Sequence, residues 1–177
     1  MLSPNSESRA SIRVVQLQDW STVRDVTLKM LADAPHAFGE TLVEAEARTT
    51  LDWQQWAEQL ADTVHGCAYL AEDALGACGF VRGDTTNPQL PPGAALAGQL
   101  WVAPRQRGTG LGRRLMEAVT QWAILRGAEQ VVLGVVNTNL SIMKFYEHLG
   151  YSDTGFRVHL PGDAAKVIIG MGRKLRP

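Results

Sequence analysis

The segment LWVAPRQRGTGLGRRLMEAV, Leu100 to Val119, restricts the folds open to this chain more than any other stretch. An apolar run ends at Pro104 and passes Arg105 and Arg107. It crosses glycines at 108, 110 and 112 and becomes an amphipathic helical pattern. Leu111, Leu115, Ala118, Val119 and Trp122 recur on one side of that pattern. Gly127 ends the helix, and Val131 to Val136 is a short, almost wholly apolar strand, expected to be buried on both faces. A strand, a helix and a second strand joined this tightly form a βαβ unit, so Ala94–Val102 and Val131–Val136 should run parallel.

The rest of the chain arranges itself around this unit. Ile12 to Leu17 alternates as a first strand, and Asp19 is placed to cap a helix with Trp20, Val23, Met30 and Leu31 inward. APHAFGE is a break. A second helix starts near Thr49, where Thr49 and Asp52 have capping-box spacing, and Trp53, Trp56, Ala57 and Leu60 follow helical periodicity. These tryptophans suit packing better than cofactor stacking. Gly66–Ala71 and Leu75–Arg82 read as a hairpin with its turn near Glu72 and Asp73. Leu140–Leu149 is a helix stopped by Gly150, and Phe156–Leu160 and Ala165–Gly170 flank a turn at Pro161 and Gly162. The order predicts an α/β fold: one mixed, mostly antiparallel, twisted sheet of about seven strands, with a central parallel βαβ unit and about four helices on its two faces.

Lys and Arg number 17 against 18 Asp and Glu, so the overall charge favours neither nucleic acid nor an anionic membrane as partner. Arg105, Arg107, Arg113 and Arg114 still form a local basic cluster. The two cysteines, Cys67 and Cys78, flank the hairpin and could face each other across it; two reduced, small apolar residues is the simpler reading. No stretch approaches the ~20 apolar residues of a membrane span. Residues 1–11 have no apolar core and read as a disordered lead, with a single domain over 12–175 and a cytoplasmic location.

Gly108, Gly110 and Gly112 strip side chains from the point where strand becomes helix. Backbone can approach a ligand there, and the first helical turn offers unpaired N–H groups at the positive end of the dipole. Together these suit a phosphate-bearing ligand, although a merely tight turn would use the same residues. A nucleotide P-loop is excluded because Arg113, not a lysine followed by Ser or Thr, comes after Gly112. A dinucleotide fingerprint is excluded by the GxGxG spacing and the lack of an acidic residue ending the next strand.

Arg105-Gln106-Arg107-Gly108-Thr109-Gly110 resembles the Arg/Gln-x-x-Gly-x-Gly/Ala motif of the GCN5-related N-acetyltransferase (GNAT) superfamily. NLSIMKFYEHLGY, Asn139 to Tyr151, resembles that family's second signature, and the element order agrees from about Ile12 to Leu175. The resemblance implies acetyl-CoA as co-substrate and no metal. Backbone N–H groups of Arg107, Gly108, Thr109, Gly110, Leu111 and Gly112, with Arg113, would hold the pyrophosphate. The pantetheine arm would run along Leu100, Trp101 and Val102, with the Val102 N–H polarising the thioester carbonyl. Asn139 would contact the arm, or cap its helix, or both. Tyr146 would protonate the leaving thiolate as general acid; packed helix tyrosine is the alternative.

The general base is the gap in the resemblance. An amine of reference pKa ≈ 10.4 is neutral to roughly one part in 10³ at pH 7, a handicap on the order of 4–5 kcal/mol. Family members that carry a glutamate on the fourth strand have it where this chain has Gly98, Gln99, Leu100 and Trp101. The fifth-strand glutamate of N-terminal acetylating members corresponds to Gly134. Glu40 is the remaining candidate, with His36, Glu44 and Glu46 nearby, and a surface carboxylate is its plainer reading. Phe38, Trp53 and Trp101 could line the acceptor pocket, with Glu40 attracting a cationic amine. The resemblance implies an N-acetyltransferase acting on a small-molecule primary amine by direct attack in a ternary complex, and is compatible with a homodimer. The alternatives are a peptide or protein N-terminal acetyltransferase and a non-catalytic acyl-CoA-binding module.

Overall fold

The computed structural model describes residues 9–160 and 163–175. Seven strands form one sheet in the order β1-β2-β3-β4-β5-β7-β6. They are β1 (Ser11–Val14), β2 (Gly66–Asp73), β3 (Gly76–Asp84), β4 (Ala94–Val102), β5 (Gln130–Val136), β6 (Ser152–Leu160) and β7 (Asp163–Lys174). The helices are α1 (Trp20–Asp33), α2 (Leu42–Glu46), α3 (Thr50–Ala61), α4 (Leu111–Leu125) and α5 (Leu140–His148). Only β4 and β5 pair in parallel; the other neighbours are antiparallel. No helix of the described residues is long and apolar enough to cross a membrane.

The helices cover both faces, and β3 shows why. Side chains alternate along a strand. A Cβ at Gly79 would meet Leu115, and one at Gly83 would meet Trp122, so this face of β3 lies under α4. Arg82 points the other way, its guanidinium 5.2 Å from the Trp56 ring centre of α3. Glycine at 79 leaves room for Leu115 of α4 and Ala71 of β2, and glycine at 83 leaves room for Trp122 and for the Cys67 Sγ, which would lie 2.7 Å from such a Cβ. Buried Leu111, Leu115, Val119 and Trp122 fill the α4 side, with Ala118 half-buried.

Several local expectations change. Asp19 precedes α1 but does not cap it; its carboxylate takes Arg13 and the backbone N–H of Gln16, closing a 3-10 turn. Helix α2 was not anticipated; Thr41 and Glu44 form its capping box, as Thr49 and Asp52 do for α3. Residues 1–8 and the turn at Pro161 and Gly162 lie outside the described residues. Ala10 and Ser11 do not belong to a disordered lead: Ala10 is buried and its carbonyl accepts from Arg114, and Ser11 starts β1. Cys67 lies opposite Gly83 and Cys78 sits near the far end of the hairpin, so the two thiols are free rather than facing. β5 is not buried on both faces: Val131, Leu133 and Val135 are buried, while Gly134 is exposed.

Candidate active site

Strands β4 and β5 pair over only three residues, Ala94–Leu96 against Gln130–Val132. Beyond that they part, and the cause lies on the opposite edge of β4. Phe80 faces Trp101 and Arg82 faces Gly98, so two steps of β3 match three of β4. The extra residue is accommodated at Gln99, the one described non-glycine residue with positive φ, +53°. A bulge of this kind bends its strand and ends regular pairing.

Past the bulge, the Ala103 N–H donates to the Cys78 carbonyl at 2.8 Å. Its neighbouring pair, Gly79 and Val102, therefore exchanges no hydrogen bonds, and the Val102 N–H and carbonyl turn toward the gap. A cavity of about 920 Å³ fills the gap and extends between the end of α1, the start of α4 and one side of α5. Leu100, Trp101, Val102, Arg107, Gly108 and Gly110 line it. So do Leu111, Gly112, Arg113, Asn139, Tyr146 and Phe38. Among the residues the sequence singled out, His36 lines it as well, whereas Arg105, Thr109, Arg114, Glu40, Glu44, Glu46 and Trp53 do not.

The glycine turn is held open by its flanks. Arg105 grips Asp73 in bidentate fashion, at 2.9 and 3.0 Å, and Gln106 donates to the same carboxylate at 2.9 Å. The Asp73 carboxyl is driven well below the usual carboxylate range, first by Arg105, so it stays charged and keeps its grip. Gly108 (φ +78°) and Gly110 (φ +84°) are left-handed, and a Cβ on either would point into open space. Gly112 has another role: a Cβ there would lie 3.3 Å from Phe145 of α5. The first α4 amide with a backbone acceptor is Arg114, to the Gly110 carbonyl. The amides from Gly108 to Arg113 have no protein acceptor among the described residues. Thr109 secures the turn through its side chain, donating to the Gln106 carbonyl at 2.8 Å.

The basic cluster disperses on folding. Arg105 is tied to Asp73, Arg107 to Asp33 and the Val102 carbonyl, and Arg114 to the Ala10 carbonyl. Arg113 has no such partner among the described residues and faces the cavity from the first turn of α4. Glu40 is ion-paired with Arg48 at 2.8 Å. Glu44 is occupied in the α2 cap. The Trp53 and Trp56 rings stack under Arg48, away from the cavity.

Residues 28–151 match the model of the acetyltransferase (GNAT) family. The chain belongs to that family. It is 37% identical over 51 residues to an uncharacterized N-acetyltransferase of Bacillus subtilis, YobR, covering 29% of this chain and 21% of the relative. It is 31% identical over 98 residues to an uncharacterized N-acetyltransferase of Schizosaccharomyces pombe, covering 55% of this chain and 58% of the relative. The chain thus spans less than two thirds of either relative's length. The fold matches that of YncA from Salmonella typhimurium, solved with acetyl-CoA, at TM-score 0.74 and 18% identity, over 96% of each chain.

Three positions on the cavity wall are informative. Tyr146 is buried, its ring edge-on to Phe145 and Tyr151, and no described group hydrogen-bonds its hydroxyl. Burial pushes that hydroxyl above the usual tyrosine range, so it keeps its proton. Asn139 caps α5, accepting from the Ile142 N–H at 3.3 Å and the Ser141 hydroxyl at 3.1 Å, while still lining the cavity. Gly134 cannot be replaced by a carboxylate without rearrangement, because a Cβ there would lie 2.7 Å from Ile168 Cγ2. Sequence reasoning missed Asp33, which lines the cavity. Its one signal was a carboxylate ending a helix, against the dipole.

Proposed function

We propose that the protein is an acetyl-CoA-dependent N-acetyltransferase that acetylates the primary amine of a small molecule by direct attack in a ternary complex. The observation that carries this is the run of amides from Gly108 to Arg113 without protein acceptors, at the mouth of the gap between β4 and β5. Such amides at a helix start bind phosphate, and the helix dipole adds to their field. Arg113 contributes a cation beside them. These residues fit a diphosphate, and the gap beyond fits an extended amide-bearing arm.

Acetyl-CoA would supply the activated acetyl group. The Val102 N–H, free of β3, offers a hydrogen bond to charge developing on an acyl oxygen beside it. As an amine forms the C–N bond and the C–S bond breaks, the Tyr146 hydroxyl, kept protonated by burial, would give its proton to the departing thiolate, and the proton lost by the nitrogen would pass to solvent, from which Tyr146 is reprotonated. The apolar walls of Phe38, Trp101 and Leu133 exclude water from the acyl group. A single domain and a cytoplasmic setting accompany this reading.

The test is calorimetric titration with coenzyme A, followed by thiol release from acetyl-CoA over an amine panel. Binding with release dependent on a small amine is expected. Binding without release from any amine or peptide identifies a sensor of acyl-CoA. No binding removes the reading.

A further inference from the structure

Asp33, the last residue of α1, is the single carboxylate on the cavity wall among the described residues. Its Oδ2 accepts from the Trp101 indole N–H at 2.9 Å and from the Arg107 guanidinium. Its Oδ1 accepts from no described group. Arg107 also donates through Nε to the Val102 carbonyl at 3.0 Å. One guanidinium therefore links the carboxylate beside α1 to the strand edge in the gap, from a position next to the acceptor-free amides. The Arg107 side chain is 52% exposed, so this contact can exchange, whereas the Asp33 side chain is only 25% exposed and anchored by buried Trp101.

The arrangement satisfies Asp33 with a cation that a diphosphate would attract more strongly. A diphosphate carries more charge than a carboxylate and accepts a guanidinium in bidentate fashion. We propose that Asp33 is the acceptor-recognition residue, binding an alkylammonium, and that Arg107 masks it until the donor's diphosphate draws the guanidinium away. This rests on the acetyl-CoA reading above. The Trp101 indole keeps Oδ2 engaged and the carboxylate oriented, leaving Oδ1 for the incoming ammonium. The acceptor is then a cationic aliphatic amine, held only by the donor-loaded protein.

Calorimetry with coenzyme A on the wild type, Asp33→Asn, Arg107→Gln and the double variant tests the masking. The amide oxygen introduced by Asp33→Asn would still accept from Trp101, so the fold should survive; thermal unfolding checks it. Asp33→Asn should bind coenzyme A about two- to five-fold tighter, the range of a partly exposed ion pair released. The gain should vanish in the Arg107→Gln background. Equal or weaker binding by Asp33→Asn, or a gain that persists without Arg107, overturns the masking. Recognition is read with a panel of alkylamines and diaminoalkanes. The coenzyme A-loaded wild type should bind at least one of them about tenfold more tightly than either the free wild type or loaded Asp33→Asn, as the loss of a charge-assisted hydrogen bond predicts. No binding to the loaded wild type, or undiminished binding to loaded Asp33→Asn, overturns the assignment. Failure of the wild type to bind coenzyme A would instead strike the acetyltransferase reading itself.

Discussion

The Tyr146 ring meets the Tyr151 ring edge to face, with centroids 5.7 Å apart and planes at 64°. The packing belongs to the ring, while the hydroxyl contributes no hydrogen bond to the described fold. Phenylalanine at 146 should therefore leave thermal stability and coenzyme A affinity close to wild type. Turnover should fall by about 10²-fold if the hydroxyl is the acid. Steady-state kinetics beside calorimetry separate the two effects; a normal kcat would remove Tyr146 from the chemistry.

Gly134 and Ile168 share one space. Gly134→Ala should cost about 1–3 kcal/mol, since its Cβ would press within 2.7 Å of Ile168 Cγ2. Ile168→Ala removes that methyl. The double variant should lose much less than the sum of the single losses, a coupling measured by denaturant unfolding. Additive losses would show that the strand relaxes instead.

Asp19 makes folding sensitive to acid. Its carboxylate takes Arg13 Nη1 at 2.6 Å, Arg13 Nη2 at 3.0 Å and the Gln16 N–H at 2.8 Å. Arg13 first, and then the Gln16 amide, hold it below its ordinary range. In the folded state it binds fewer protons than in the unfolded chain. Its stabilisation is complete above the unfolded value of about 3.9 and is lost as pH falls through the lower folded value. Asp19→Asn should cost about 1–3 kcal/mol at neutral pH and flatten the acid limb of the stability profile. An unchanged acid limb would assign that pH dependence elsewhere.

Cys67 and Cys78 should stay silent toward thiol reagents in the native protein. Burial pushes their thiols up, to about 12 and about 11, so little thiolate exists at neutral pH. Mass spectrometry after iodoacetamide should show no adduct until denaturant is added, then two. The same shifts make the folded state hold these protons longer than the unfolded chain. That contribution is present below the unfolded thiol value and fades as pH rises toward the folded ones. Rapid native labelling would contradict the burial.

Much of the molecule was legible from local pattern. Capping spacing located α3, the glycine turn located the start of α4, and the apolar run before Pro104 located β4 at its observed bounds. The cavity is lined by Gln106, Arg107, Gly108, Gly110, Asn139 and Tyr146 of the two motifs, but not by Arg105 or Thr109. Helix α2 escaped because its five residues are too few to show a period. The hairpin register escaped because apolar alternation does not say which cysteine lies opposite which residue. The bulge at Gln99 escaped because a positive φ at glutamine leaves no mark in composition.

By itself the sequence determined the strand-turn-helix element, the parallel crossover and the family, because propensity, capping and the need to bury a periodic face act between near neighbours. Only the tertiary structure decided which charges meet. Asp33 lies 68 residues from Trp101 and 74 from Arg107. Nothing local to any of the three selects the others; the close of α1, the bulged end of β4 and the turn before α4 bring them together. Ion pairs add too little energy to direct folding, so the packing of the apolar faces chose their partners.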